Sequence, residues 1–307
     1  MQHYRSLTDV SLHDSWLTIG VFDGVHRGHQ AILQKLTAGA RQAGAPAVVL
    51  TFWPHPATVL GHGEVKCLTT PDERANLLGG LGVDVVVTYP FDQAVANTSA
   101  RDFVMMLKDH LDFGQLLIGY DFALGKGRAG NAPSLTEIGK ELDYHVDVLP
   151  AVSDESGVVS STAIRKLVSV GSVAEASRLL GRRYSLHGPV VRGDQRGRSL
   201  GFPTANIEYP PEKVIPARGI YACWAFLGGE KYPAMVNIGI NPTFTPNKQT
   251  VNVEAYLLDF DQDIYGGDLH LEFVERLRDE LKFSSVDALL EQIRLDVKKG
   301  REILTEK

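Results

Sequence analysis

Gly20-Val21-Phe22-Asp23-Gly24-Val25-His26-Arg27-Gly28-His29 decides the fold of the first half of this chain. The apolar run 17–22 reads as a buried strand leading into it, and Ile32, Leu33, Leu36 and Ala40 follow on one helical face. The decapeptide therefore joins a strand end to a helix start. His26 and His29 are three apart and share a face of the first turn, and Gly28 between them leaves the backbone open to a ligand. Helix-terminal N–H groups and the helix dipole favour an anion there, and two imidazoles can donate to phosphate oxygens. In an adenylyl transfer such donors offset the charge that builds on departing pyrophosphate. Two incidental surface histidines are the plainer alternative. A metal site is weaker still, because the sequence places no third ligand.

Outward from this motif, short apolar runs alternate with helical patterns. Residues 47–52, 83–89, 115–120 and 144–149 read as further buried strands. Between them, Thr70-Pro71-Asp72-Glu73 forms a capping box with proline at the first helical position. Ser99 precedes the pattern Phe103, Met106, Leu107, and Ser134 has Glu137 three residues on. Such alternation implies an α/β, Rossmann-like domain with a parallel sheet covered on both faces. Two short helices are expected at 161–170 and 173–180, each ended by a glycine, Gly171 and Gly181, with Ser172 and Glu175 as a capping box. Past Gly181 the period changes to two. Runs at 184–191, 204–208, 219–227, 231–238, 251–260 and 268–275 read as strands, the third and fourth joined by the hairpin turn Gly228-Gly229. A helix from Ser284 is expected to bury Leu289, Leu290, Ile293 and Val297. The second half is thus a small antiparallel β-barrel with a C-terminal helix, and the domains are 1–181 and 182–307.

Composition narrows the function. The chain has 307 residues, 44% apolar and 22% charged, the balance of a globular protein with two cores. Cys67 and Cys223 are far apart and outside any C-x-x-C spacing, which argues against a disulfide framework or zinc knuckle and fits a reducing cytoplasm. Residues 1–14 lack a signal-peptide run, and no apolar run reaches membrane-spanning length, so a soluble cytoplasmic protein is expected. A formal charge of −6 and a pI near 5.9 argue against nucleic acid as partner. Anionic substrates must then meet local basic groups: Lys126 and Arg128, Arg165 and Lys166, or Arg192, Arg196 and Arg198. Each alone reads first as solvated surface. Gly125-Lys126-Gly127-Arg128-Ala129-Gly130 satisfies a dinucleotide fingerprint but lacks its strand–helix setting, and Asn131-Ala132 fails the P-loop ending. It reads as a mobile basic loop near phosphate.

The histidine motif resembles the signature of the nucleotidyltransferase superfamily, and the longer string is similar to its FAD synthetase branch. Three further segments carry that resemblance: Thr51-Phe52-Trp53-Pro54-His55-Pro56, Gly119-Tyr120-Asp121-Phe122-Ala123-Leu124-Gly125-Lys126-Gly127, and Ser160-Ser161-Thr162-Ala163-Ile164-Arg165. Leu124 stands where the pattern expects Phe. The resemblance implies that Gly20, Phe22, Asp23, Gly24, His26, His29 and Asp121 meet the nucleotide. Ser161, Thr162 and Arg165 would hold ATP phosphates, as hydroxyls and a fork-shaped guanidinium can, although Ser-Ser-Thr alone is usually a helix cap. Phe52, Pro54, His55 and Pro56 would meet the flavin.

The second half resembles riboflavin kinases through three segments. They are Gly201-Phe202-Pro203-Thr204-Ala205-Asn206, Asn237-Ile238-Gly239-Ile240-Asn241-Pro242-Thr243-Phe244, and Glu254-Ala255-Tyr256-Leu257-Leu258-Asp259-Phe260. The match runs on through Asp263-Ile264-Tyr265-Gly266, and Tyr256 stands where His is often expected. It implies that Thr204 and Asn206 hold Mg²⁺ with ATP and that Glu254 is the base for the ribityl hydroxyl. Gly188, Gly193, Gly197 and Gly201 can form a flap over phosphates, with Gly188, Gly193, Gly201 and Pro203 near the nucleotide; barrel turns explain some of them equally well. By strand parity Glu254 faces away from Val251, Val253 and Leu257, and a solvated sheet residue is its plain alternative. Together the halves imply a bifunctional enzyme that makes FMN from riboflavin and FAD from FMN, using ATP and Mg²⁺. Its rivals are a cytidylyltransferase-like enzyme with an RNA-binding barrel, which the acidic pI disfavours, and a flavin-binding regulator without turnover. The pattern fixes no oligomeric state.

Overall fold

The computed structural model describes residues 1–154, 157–193, 200–240 and 251–305. Its packing separates two compact units, Met1–Ser161 and Thr162–Lys307.

The first unit carries strands β1 (Gln2–Tyr4), β2 (Ser15–Ile19), β3 (Ala47–Trp53), β4 (Val85–Pro90), β5 (Phe113–Gly119) and β6 (His145–Leu149). Its helices are α1 (Arg27–Ala43), α2 (Pro56–Val59), α3 (Pro71–Gly80), α4 (Gln93–Asn97), α5 (Ala100–Leu111) and α6 (Ala132–Leu142). The strands form one parallel sheet in the order β1-β4-β3-β2-β5-β6. Alternation makes both faces apolar. Val48, Leu50 and Phe52 of β3 join one core with Phe103, Val104 and Leu107 of α5, while Ala47 and Val49 join Leu33, Leu36 and Ala40 of α1 on the other. The chain passes from β2 to β3 on one side and later returns to β5 on the other. That reversal opens a crevice beyond the carboxyl ends of β2 and β5, where ligands of such sheets bind.

Local signals acted mostly as their chemistry requires. Thr70 and Glu73 close both bonds of the capping box, and Ser99 caps α5. Helix α6 starts earlier than expected, because Asn131 rather than Ser134 accepts the first free N–H, at 3.1 Å. The three-residue edge strand β1 carries Gln2, His3 and Tyr4, too short and polar to show a period.

A small hairpin, β7 (Ser153–Asp154) and β8 (Gly157–Val158), precedes α7 (Ser161–Ser169) and α8 (Val173–Leu180). Ser172 makes no side-chain capping bond, so the expected box is absent there. The second unit adds β9 (Tyr184–Val191), β10 (Ala205–Ile207), β11 (Gly219–Leu227), β12 (Glu230–Ile240), β13 (Val251–Leu257), β14 (Asp268–Arg278) and helix α9 (Val286–Thr305). The strands close into an antiparallel barrel, β10-β13-β12-β11-β14-β9. Gly228 and Gly229 make the β11–β12 hairpin with φ of 58° and 91°.

Helix α9 departs from its expected burial. Its buried residues are Asp296, Gly300 and Leu304, while Leu289, Leu290, Ile293 and Val297 are only half-buried. The helix end packs on Ala222, Met235, Leu258 and Val274, and a Cβ at Gly300 would overlap Met235. Toward its start it stands over a cleft. Arg278 of β14 grips Asp296 through Nε at 2.9 and 3.0 Å and through Nη2 at 2.6 Å, and Gln292 adds a bond of 2.9 Å. Both cysteines are buried, and no disulfide joins them.

Helix α8 buries Val173, Ala176, Leu179 and Leu180 and packs on β14 and β9. A fragment beginning at Thr162 should therefore be more stable than one beginning at Arg182. Each lost apolar side chain represents at most about 1.5–3 kcal/mol. Thermal unfolding of the two fragments measures the difference, and equal midpoints would mean that α8 contributes nothing to the barrel.

Candidate active site

Candidate residues lie at or near a cleft of the first unit and two clefts of the barrel. In the first unit the chain leaves β2 through Gly20 and turns sharply, with positive φ at Phe22, Gly24 and Val25. Glycine suits the second of these at little cost; the other two are held by burial, Phe22 at 2% and Val25 at 1% exposure. His26 is the N-cap of α1, its Nδ1 accepting from His29 N–H at 3.4 Å. The two imidazoles stack with centroids 3.7 Å apart. Gly28 serves this stack, since a Cβ there would crowd the His26 ring at 3.0 Å. Its room is taken by the imidazole rather than left for a ligand.

Asp23 is turned inward. Its carboxylate accepts from Leu68 N at 2.9 Å, Thr69 N at 3.0 Å and Thr69 Oγ1 at 3.2 Å, while its carbonyl accepts from Ser161 Oγ at 2.8 Å. Beside it lies Arg74, 0% exposed and 4.0 Å from Asp23 Oδ1. Its guanidinium donates to Thr51 Oγ1 at 2.9 Å, Phe52 O at 3.3 Å and Thr69 O at 3.3 Å. Burial lowers the Arg74 pKa, against the opposing pull of Asp23. Arg74 thus ties the histidine turn to the end of β3, a role the sequence reading missed; a lone helical arginine gives no signal of burial.

The cleft of the first unit, about 540 Å³, lies beyond the strand ends and is lined by Gly20, Phe52, His55, Pro56, Asp121 and Arg128, among others. Pro54 is exposed and outside this lining. His55 caps α2, its Nδ1 accepting from Ala57 N–H at 3.1 Å. The segment expected as a mobile loop is fastened at its base. Leu124 and Gly130 exchange backbone bonds of 3.1 and 2.9 Å, and Lys126 N–H donates to Thr98 O at 2.9 Å. Thr162 is exposed and Arg165 half-buried on α7, both within the second unit.

The barrel carries two clefts that share Thr204. One, about 330 Å³, is lined by Pro203, Thr204, Phe260, Asp261, Asp263 and Tyr265 among others. Arg192 lies over the Tyr265 ring at 5.4 Å. The other, about 340 Å³ and more apolar, lies under α9 and includes Phe202, Thr204, Asn237, Glu254, Arg278 and Ile293. Ala205 and Ile207 are buried in the barrel while Thr204 and Asn206 face outward, the parity expected. Glu254 pairs across the sheet with Asn206 on β10 and with Asn237 on β12. It lines the cleft under α9. Gly193 makes room for the Asn206 amide, which a Cβ would overlap, and Asn252 Nδ2 donates to Asn206 Oδ1 at 3.5 Å. Gly188 is explained by crowding: a Cβ there would overlap the Glu208 carbonyl oxygen, and it lines neither cleft. Gly201 occupies a turn with φ of 84°. Arg196, Arg198, Gly197 and the run Asn241-Pro242-Thr243-Phe244 lie outside the described residues.

Comparison with known proteins defines the class. A family model of FAD synthetase matches residues 9–163, and one of riboflavin kinase matches residues 180–304. Relatives named bifunctional riboflavin kinase/FMN adenylyltransferase include one from Listeria monocytogenes, 36% identical over 91% of this chain and 89% of its own. Another, from Haemophilus influenzae, is 36% identical over 98% of both chains. A solved structure from Streptococcus pneumoniae, described as a macrolide-efflux protein, matches with a TM-score of 0.89 at 32% identity, over 97% of this chain and 98% of its own. The fold and these matches define an ATP-using flavin transferase with a nucleotidyltransferase unit and a kinase barrel. The chain belongs to the family of bifunctional riboflavin kinase/FMN adenylyltransferases. Its activities are accordingly riboflavin phosphorylation and FMN adenylylation, with ATP as co-substrate. Among the described residues, no helix is long and apolar enough to cross a membrane.

The His29 pKa lies well below the ordinary 6.5, first through burial, then through the neighbouring His26 and the Arg74 cation. Its Nδ1 is enclosed and, among the described residues, has no hydrogen-bond partner. The folded ring therefore refuses a proton that the unfolded chain accepts below about pH 6.5. Stability from this group is present above that pH and is lost as pH falls, by up to about 1.4 kcal/mol per pH unit. Urea unfolding of the first unit between pH 7 and 5 should show this slope, and His29→Gln should flatten it. An unchanged slope would mean that His29 is not the group responsible.

Proposed function

We propose that FMN is adenylylated in the cleft beyond β2 and β5, and that riboflavin is phosphorylated at the barrel, the catalytic domains dividing at 1–181 and 182–307. The observation that carries the kinase reading is Thr204, which lines both barrel clefts, with Glu254 in the more apolar one. A nucleotide in the first cleft and a flavin in the second would meet at this seam. Leu289, Ile293 and Val297 offer the flavin ring an apolar wall. The ribityl terminal oxygen attacks the γ-phosphorus of ATP, ADP leaves, and Glu254 accepts the hydroxyl proton. Thr204 and Asn206 would hold Mg²⁺. Their neutral oxygens suit an ion whose other ligands are phosphate and water, and the bare Gly193 leaves space for the Asn206 amide. Bound there, Mg²⁺ supplies charge neutralisation on the phosphates. Among the described residues no cluster of His, Cys, Asp or Glu is arranged to hold a metal.

In the first unit an FMN phosphate oxygen attacks the α-phosphorus of ATP and pyrophosphate departs. His26 and His29 act as neighbouring N–H donors to the phosphates. His29 does so neutral, as its lowered pKa requires. Asp23 contributes by holding the turn rather than by presenting its carboxylate, and Gly20, Phe22 and Gly24 shape that turn. Asp121 and Arg128 line the cleft with Phe52, His55 and Pro56, which would receive the flavin. Ser161 would meet an ATP phosphate.

One chain with two reactions tests itself. Glu254→Gln keeps the shape and removes the base, so riboflavin phosphorylation should fall about 10²–10⁴-fold while FMN conversion to FAD stays near normal. Unchanged kinase turnover would remove Glu254 from the mechanism. In the reciprocal experiment, His29→Ala should abolish FAD formation from supplied FMN and leave riboflavin phosphorylation intact. Equal loss of both reactions in a folded variant would argue against separate sites.

A further inference from the structure

One row of outward-facing residues crosses the barrel. Asn206 of β10 pairs with Glu254 of β13, Glu254 with Asn237 of β12, Asn237 with Ile220 of β11, and Ile220 with Arg278 of β14. Directly paired residues share a sheet face, and strands lie about 4.8 Å apart. From Glu254 to Arg278 the row therefore spans about 14 Å. Glu254, Asn237, Ile220 and Arg278 all line the cleft beneath α9. The row passes from polar groups at its phosphate end to Ile220 and the helix wall, where Leu289 and Ile293 also face the cleft.

Asn237 stands in the middle of this row with an unfilled bond. Its Oδ1 is enclosed and, among the described residues, has no hydrogen-bond partner. An enclosed acceptor without a donor is unfavourable, so such an atom at a cleft wall suits a ligand donor. The neighbours cannot fill it. Ile220 on one side carries no donor, and the carboxylate of Glu254 on the other, when ionised, accepts only.

We infer that Asn237 accepts a hydrogen bond from a ribityl hydroxyl lying one or two carbons from the one that attacks phosphate, and so selects a flavin bearing a polyol chain. This rests on the reading of the cleft as the riboflavin site. With the flavin ring against Ile220 and the α9 wall and the terminal hydroxyl at Glu254, the chain between them must pass Asn237. Its spacing of about 5 Å from Glu254 across the ladder matches a hydroxyl beyond the reacting one. The apolar wall alone would accept a flavin with or without the polyol.

The experiment compares riboflavin with lumiflavin, which has the same ring and a methyl group in place of the ribityl chain. Binding of both to the full chain is measured by fluorescence quenching. The wild type should prefer riboflavin. Asn237→Val should weaken riboflavin about tenfold, the scale of one buried neutral hydrogen bond, and leave lumiflavin unchanged, while FMN conversion to FAD continues. Asn237→Ser, which restores an oxygen, should return part of the preference. Equal weakening of both flavins by Asn237→Val, or no change in either, overturns the inference. Ile293→Trp, which fills the cleft, separates the underlying reading: it should weaken both flavins, and if neither responds, the cleft is not the flavin site and both ideas fall together.

Discussion

A strand shows successive side chains to opposite faces, and the placement of both candidate sites follows from that constraint. In the parallel sheet each face is covered by helices, so β3 is apolar on both sides and leaves no interior position for a reacting group. The candidate site is left to the strand ends, where Gly20, Phe52 and Asp121 meet around one cleft. In the barrel the inner face is packed and helices cover only part of the outer one. The rest of the outer face can carry a polar row, and Asn206, Glu254 and Asn237 occupy it without disturbing Val236, Val253 and Ala255 on the other side. The same rule thus yields a site made of loops in one unit and a site made of strands in the other.

The first of these designs needs an anchor, because loops bring no ladder of their own. Arg74 supplies it. A guanidinium without access to water is tolerable only when its donors are met, and here they are met by Thr51, Phe52 and Thr69, with Asp23 alongside. Meeting them forces three separate stretches of chain into register beneath the stacked histidines. The barrel achieves the equivalent order more simply, since the Arg278–Asp296 pair fastens α9 above a surface already fixed by strand pairing.

Much of this was legible in the amino-acid pattern, for reasons specific to particular residues. The barrel strands β9 and β11 have the expected bounds, because turns and Gly-Gly punctuation mark them sharply. His26 and His29 were legible because helical spacing alone puts them together. Other features were hidden in long-range geometry. Nothing local distinguishes Arg74 from a surface arginine, and Gly188 is needed only because Glu208 arrives from another strand. The apolar stripe of α9 was legible, but not that it faces a cleft; periodicity reports which residues avoid water and is silent on whether protein or ligand covers them. Asn237 was visible as part of a motif, while its enclosed, unmet oxygen belongs to the folded barrel.

The burial of both sulfurs has a practical side. The chain contains only Cys67 and Cys223, both enclosed, and burial raises the Cys223 thiol well above its ordinary pKa. Thiol reagents act on exposed thiolates, so the native protein presents neither as a ready target. A single cysteine introduced at Leu295, which is 55% exposed on the outer side of α9, would then be the one reactive handle. A fluorophore or spin label attached there would ride on the helix that roofs the barrel cleft, reporting on that roof from a defined point without first stripping the protein of its own sulfur.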